Sequence, residues 1–279
     1  MPTLLFWNIH KRKLSGSAAA LARDVRADIV VLTECAESIG TILKEFNSNG
    51  SPFYEPDPGF PDRLIILSRY PSGAVVPVRD ALGISVRHYA PPIGSSFLLA
   101  AVHLPSKRYE TEQGQSFLSV RIARVIREAE EHVGHSRTLV IGDFNMNPFE
   151  PGMVGAEGLH AIMDRRIASQ VVRTVRREDY PFFYNPMWGH FGDGRGGAPG
   201  SYFYNSGAHV NFFWHIFDQV LLRPAVLPFF ADEDLKIVTD IRGASLLNSA
   251  GRPDAKNFSD HLPLVVKLRD IEREEVDVN

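Results

Sequence analysis

Three short apolar runs in this chain each stop on a polar side chain for which a buried strand has no use, and that pattern limits what the chain can fold into. Residues 3–7 run into Asn8, residues 28–32 into Thr33-Glu34, and residues 137–141 into Gly142-Asp143. Short β-branched runs bounded by polar or glycine residues read as strands buried on both faces. Residues 64–67, 74–78, 97–102, 219–222 and 262–268 have the same character. Two helical patterns lie among them. Residues 15–26 put Ala and Leu on one face behind a serine that can serve as N-cap, and residues 112–132 space Phe117, Ile122, Val125 and Ile126 at helical intervals among charges. Strands outnumber helices, the helices interrupt them irregularly, and no repeat is visible. The expected architecture is layered α/β, with sheets packed on each other, helices outside, and chemistry at the strand ends.

At 279 residues the chain has room for one large domain or two modest ones. The Pro/Gly-rich stretches 51–62 and 181–200 are too aromatic to act as tethers. A single domain over 1–268 is expected, followed by a charged, solvated tail over 269–279. Residues 182–204 gather Phe, Tyr and Trp around a glycine-rich piece, which fits either a satellite core or a wall against substrate. Lys and Arg number 30 against 33 Asp and Glu, and the net charge of −3 argues against a general nucleic-acid coat while leaving room for a local basic patch. The lone Cys35 excludes an internal disulfide framework and an all-cysteine zinc site, and reads as a small buried hydrophobe. The first residues lack a basic n-region, and no apolar stretch nears the roughly 20 residues that span a bilayer. A cytoplasmic protein without a membrane segment or evident protein partner is expected.

Singly, the polar strand-end residues have ordinary structural readings. Asn8 can cap a turn, His103 can be a satisfied buried imidazole, and Asp143 and Asn145 can make an Asx turn. Glu34 is less innocent, because an ionised carboxylate beside an apolar run needs a partner or a cation. Asp218 stands at the start of one strand, and Ser259-Asp260-His261 just before the last. Their convergence is informative. Carboxylate and amide oxygens suit Mg²⁺, which keeps several waters and is held by one or two carboxylates. The chain has no Gly-x-Ser-x-Gly elbow and no glycine-rich nucleotide loop. Carboxylates and histidines without a nucleophilic Ser or Cys point to metal-assisted hydrolysis, with water as the nucleophile.

Phe6-Trp7-Asn8-Ile9, the Glu34 of Val30-Val31-Leu32-Thr33-Glu34, Ile66-Leu67-Ser68-Arg69, Val102-His103-Leu104, Gly142-Asp143-Phe144-Asn145, Phe217-Asp218-Gln219-Val220-Leu221 and Ser259-Asp260-His261 follow in order over nearly the whole chain. Together they resemble the motifs of the endonuclease/exonuclease/phosphatase (DNase I-like) superfamily. Tyr184-Asn185-Pro186-Met187-Trp188 resembles bacterial members of unassigned substrate. The resemblance implies a four-layered α/β sandwich, two packed, mainly antiparallel or mixed β-sheets flanked by helices. It implies Glu34 as principal ligand of Mg²⁺, with Mn²⁺ as a substitute, and Asn8 and Asp260 beside the metal as ligands or through water. Asp143 and Asn145 would orient the attacking water and hold the phosphoryl group. His261, paired with Asp218, would contact a non-bridging oxygen as general base or as imidazolium, and His103 would serve the leaving group.

Arg69, Tyr184, Trp188 and Tyr202 are the candidate substrate contacts. The basic residues of 10–13, 165–166 and 173–177 would track a phosphate backbone or form solvated surface. Two departures point away from base-excision members, the run Ile9-His10-Lys11-Arg12-Lys13 in place of a glycine-containing turn, and His103 in place of a tyrosine. The leading expectation is Mg²⁺-dependent hydrolysis of phosphodiester bonds, a nuclease acting on DNA or RNA with the aromatic loop stacking exposed bases. The alternative keeps the chemistry on a small or lipid phosphoester of the inositol phosphate, sphingomyelin or nucleotide type. A binding protein on an inactive scaffold would have lost a core position, and none of Glu34, Asp143, Asn145, Asp218, Asp260 and His261 is missing.

Overall fold

A computed structural model describes residues 2–48, 52–56, 64–91 and 94–269. Residues 51 and 57–62 of the first Pro/Gly-rich stretch and 270–279 of the expected tail lie outside the described residues. The chain opens with β1 (Thr3–Asn8), α1 (Ser15–Asp24), β2 (Ile29–Thr33), α2 (Ile39–Phe46) and β3 (Leu64–Ser68). It continues through β4 (Val75–Ala81), β5 (Ile84–Tyr89), β6 (Phe97–His103), α3 (Glu112–Val133) and β7 (Thr138–Asp143). Then come β8 (Ala161–Ile162), the hairpin β9 (Val172–Val175) and β10 (Glu178–Pro181), β11 (Phe183–Tyr184), the pair β12 (Tyr202–Phe203) and β13 (Trp214–His215), and β14 (Asp218–Leu222). β15 (Leu235–Ile237), the small pair β16 (Asp240–Ile241) and β17 (Ala244–Ser245), and β18 (Leu264–Lys267) complete it.

Among the described residues, one sheet has five strands in the order β15-β18-β1-β2-β3, and the other has seven in the order β4-β5-β6-β7-β14-β11-β8. Both are mixed: β1 and β2 run parallel, as do β6 and β7, while β18 and β14 run antiparallel to their neighbours β1 and β7. Along β1 successive side chains point to opposite faces. Leu4 and Phe6 pack into the seam between the sheets with Leu99, Leu139 and Ile141. Leu5 and Trp7 pack beneath Leu21 of α1 and Ile42 and Phe46 of α2. On the seven-stranded sheet, Ala100 and Val140 turn away from the seam to meet Ile122 and Ile126 of α3. The layers are helix, sheet, sheet, helix, and strands covered on both faces need unbroken apolar runs.

The polar residue at each run's end still belongs to the ladder. Asn8 pairs with Thr33, His103 with Asp143, and Asp143 with Asp218. Gly142 permits this closeness, since a Cβ there would stand 1.9 Å from the carbonyl oxygen of Val102 on β6. No serine caps α1. The Ser15 hydroxyl and backbone N–H both donate to Glu37, at 2.7 and 3.0 Å, so a carboxylate from beyond β2 meets the helix start instead. On α3 the buried face runs through Gln115, Ser119, Ile122, Ala123, Ile126 and Ala129, while Phe117 is 63% exposed, contrary to its expected place on the apolar stripe. The aromatic segment divides: Phe182, Phe183, Tyr184 and Met187 are core residues, and the later part reaches the surface. No helix among the described residues is long and apolar enough to cross a membrane.

Candidate active site

Because the strands are paired in these registers, the polar ends of β1, β2, β6, β7 and β14 meet at one edge of the sandwich. Asn8 links the sheets. Its amide nitrogen donates to Asp143 Oδ2 at 3.0 Å and reaches Glu34 Oε1 at 3.5 Å, while its oxygen accepts the backbone N–H of His10 at 3.0 Å. In this arrangement Asn8 acts as a donor that ties two carboxylates together. Glu34 follows β2 with φ 52°, and His10 and Lys11 follow β1 with φ 47° and 55°. The left-handed region is uncommon for residues other than glycine, and clusters of it mark constrained, functional backbone.

Glu34 is held ionised. His103, whose Nε2 lies 3.5 Å from Oε1, is the main cause; burial opposes it, and the Asn8 amide assists, so the Glu34 pKa falls to about 2. His261 is the complement. Its Nδ1–H donates to Asp218, 2.8 Å from Oδ2 and 3.1 Å from Oδ1, and Asp218 is wholly buried. Burial works against a charge on His261, but the carboxylates of Asp218, Asp143 and Asp260 outweigh it and lift its pKa to about 10. The His261 Nε2 faces Asp143 Oδ2 at 3.9 Å. Burial raises the Asp143 pKa, with Asp218 adding to the rise and His261 and His103 opposing it. Asp143 Oδ1 accepts the Asn145 N–H at 2.8 Å, and the Asn145 amide donates to the Leu104 carbonyl at 2.8 Å, which anchors the turn to the end of β6.

Ser259 ties this end together, its hydroxyl donating to the Asn8 carbonyl at 2.6 Å and accepting the His261 N–H at 3.1 Å. Asp260 is thereby set beside His10, whose Nδ1 lies 3.3 Å from Asp260 Oδ1 and 4.0 Å from Glu34 Oε2. His10 escaped the sequence reading, which took it as the first of a basic run. Its one signal was position, two residues beyond the strand-end asparagine.

A second feature leads outward from His261 as a series of rings. Tyr202 bridges to His261 through its backbone and stands 4.6 Å from the imidazole. Phe217 follows at 5.2 Å from Tyr202, His215 at 4.7 Å from Phe217, Phe212 at 6.3 Å from His215, and Phe149 at 5.3 Å from Phe212. Trp188 and Phe191 border Phe149. The track runs from buried Phe217 to half-exposed Phe212.

The structure does not bring Arg69 and Tyr184 to this edge. β3 runs antiparallel to β2, so Arg69 lies where β2 begins and donates to the Ala27 carbonyl at 2.8 Å. Tyr184 pairs with Leu222, the far end of β14 from Asp218, and its hydroxyl donates to Asp232. The arginines of the β9–β10 hairpin lie beyond that same far end, adjoining β11.

The donor set fits a hard divalent cation at Glu34 and Asp260: two carboxylates, Glu34 fully ionised, both open to solvent in part. The ligating atoms of Asp143, Asp218 and His261 also lie within 4.8 Å of one another. There the Asp218–His261 hydrogen bond already engages the histidine nitrogen, which favours a proton over an ion.

Neither a protein-family model nor a curated protein matches this chain. Solved structures do. A truncated TDP2 from Caenorhabditis elegans matches with a TM-score of 0.56 at 15% identity, over 96% of this chain and 97% of that one. An AP endonuclease from Archaeoglobus fulgidus matches with a TM-score of 0.55 at 12% identity, over 96% and 99%. The endonuclease domain of TRAS1, a telomere-specific non-LTR retrotransposon, matches with a TM-score of 0.52 at 12% identity, over 97% and 100%. The shared property is the fold, the DNase I-like sandwich that the sequence resemblance implies.

Proposed function

We propose that this chain is a metal-dependent phosphoesterase of the endonuclease/exonuclease/phosphatase superfamily, hydrolysing phosphodiester bonds in DNA or RNA that carries unpaired bases. The observation that carries the reading is a joining of opposites at one edge: an ionised Glu34 beside Asp260, and a protonated His261 backed by Asp218, with Asp143 tied to both groups. In-line displacement at phosphorus spreads negative charge over the equatorial and leaving oxygens. His261 as imidazolium suits a grip on a non-bridging oxygen. Asp143, more basic than an ordinary carboxylate, takes a proton from the attacking water, and Asn145 at the same turn orients it. His103, on the neighbouring strand end, serves the leaving group. A divalent cation held by Glu34 and Asp260 neutralises charge and acts as a Lewis acid there.

The aromatic track supports an unpaired strand, because every base offers a face to a ring regardless of sequence. The names of two of the fold's matches, an AP endonuclease and an endonuclease domain, agree with a nucleic-acid substrate. The far-placed arginines lend no support. Digestion of a labelled single-stranded oligonucleotide, its duplex and supercoiled plasmid, with EDTA and Asp143→Ala as controls, tests the reading. Cleavage is expected of the single strand first, and is lost in both controls. Equal cleavage of duplex contradicts the unpaired-base part. No cleavage, with phosphate released from a small phosphoester, replaces nucleic acid by the alternative substrate class.

A further inference from the structure

We propose that His10 supplies a nitrogen ligand to the cation at Glu34 and Asp260, so that the site prefers a transition-metal ion such as Mn²⁺ to Mg²⁺. This rests on the metal-dependent reading above. Around an ion with ligand distances of about 2.1 Å, neighbouring ligand atoms stand about 3.0 Å apart and opposite ones about 4.2 Å. The His10 Nδ1 lies 3.3 Å from Asp260 Oδ1 and 4.0 Å from Glu34 Oε2, within that span for each carboxylate.

The backbone holds the ring in this place. After β1 the chain turns through two left-handed residues, His10 and Lys11, and each is pinned: the His10 N–H by Asn8 Oδ1 at 3.0 Å, the Lys11 N–H by the Glu34 carbonyl at 2.7 Å. Those conformations are disfavoured for residues with a Cβ, and their effect is to return the imidazole over the end of β2. The side chain is 50% exposed, so an ion reaches it without any opening of the fold. Carboxylates alone suit Mg²⁺, whereas an added imidazole moves a site toward transition metals.

Metal-stripped protein is titrated with Mn²⁺ and followed by electron spin resonance, with pulsed measurement of nitrogen hyperfine coupling on the bound ion, and Mg²⁺ competes in a parallel titration. The expected result is nitrogen coupling in the wild type, its loss in both His10→Asn and His10→Ala, and a preference for Mn²⁺ over Mg²⁺ that falls at least about tenfold in both variants. Thermal melts of the variants check that they are folded. Bound Mn²⁺ without nitrogen coupling, or coupling that persists in both variants, overturns the role of His10 and leaves the metal-dependent reading intact. Mn²⁺ that does not bind the wild type, or binds Glu34→Gln equally well, overturns both.

Discussion

At the scale of single residues, the site works by setting protons apart. Two carboxylates and an imidazole lie within a few ångströms, yet Asp218 holds His261 charged while burial keeps Asp143 reluctant to ionise. Groups with such separated affinities fit division into a charge stabiliser and a base. Asp143→Ala and His261→Ala should each lower kcat on a phosphodiester by at least about 10², assayed at a temperature where thermal melts show the variant folded, since His261→Ala also leaves the buried Asp218 without its partner and lowers the melting temperature. Activity within a few-fold of the wild type in either variant contradicts the assigned roles. Asn8, Glu34, His103, Asp143, Asn145, Asp218 and His261 were legible as a group because each stands at or close to one end of an apolar run, where burial alone asks for no polar side chain. His10 was not, since nothing in the run His10-Lys11-Arg12-Lys13 tells that two left-handed residues fold the first of them back. Arg69 and Tyr184 were misplaced for a different reason: a motif fixes a residue on its strand but not the direction in which that strand enters the sheet.

At the scale of elements, the parallel register of β6 and β7 sets His103 beside Asp143, and it depends on a glycine. The carbonyl of Val102 occupies the space that a side chain at 142 would need. Gly142→Ala should therefore force the two strands apart, costing about 1–3 kcal/mol as overpacking does, and disturb the site beyond what the added methyl could do by contact. Urea unfolding measures the first effect, and the second appears as lost activity at a temperature where the variant is folded. An alanine accommodated without loss of stability would show that the strands do not need this approach. Helix α3 illustrates what periodicity leaves undecided. Helical spacing admits Phe117 to an apolar stripe, yet the stripe that packs is centred on Ile122 and Ile126, and small residues fill its flank where the helix lies close to the sheet.

At the scale of the whole molecule, the sandwich leaves several histidines where a charge is unwelcome. Burial is the first cause lowering the pKa of His88, His135, His160, His190 and His215, with His190 reaching about 4. The unfolded chain takes up protons at these groups near pH 6.5, and the folded chain does so only at lower pH. The share of stability that these five groups control is thus full above about 6.5 and declines as pH falls toward the folded values, whereas His261, with its raised pKa, adds stability at low pH that is lost as pH rises toward 10. Melting temperature should drop between pH 7 and pH 5. His160 stacks on Phe182 at 4.1 Å, its ring nitrogens facing the carbonyls of Tyr180 and Pro181 without reaching hydrogen-bond geometry. His160→Phe should remove part of that drop, and a melting temperature flat across this range would contradict the account.

The layering itself was legible, because runs buried on both faces demand cover on both sides, and the order of motifs along the chain resembles one superfamily. The path of the aromatic segment was not: its composition does not tell that Phe183 and Tyr184 enter the core while Tyr204 stays at the surface. The central claim is that this edge of the sandwich delivers water to phosphorus. Cleavage of a single-stranded DNA oligonucleotide in ¹⁸O-labelled water, with the products weighed by mass spectrometry, tests it most directly. The account predicts ¹⁸O in the newly formed phosphate of each cleaved strand, and no product after metal is stripped or in Asp143→Ala. Cleavage that leaves the phosphate unlabelled would contradict it.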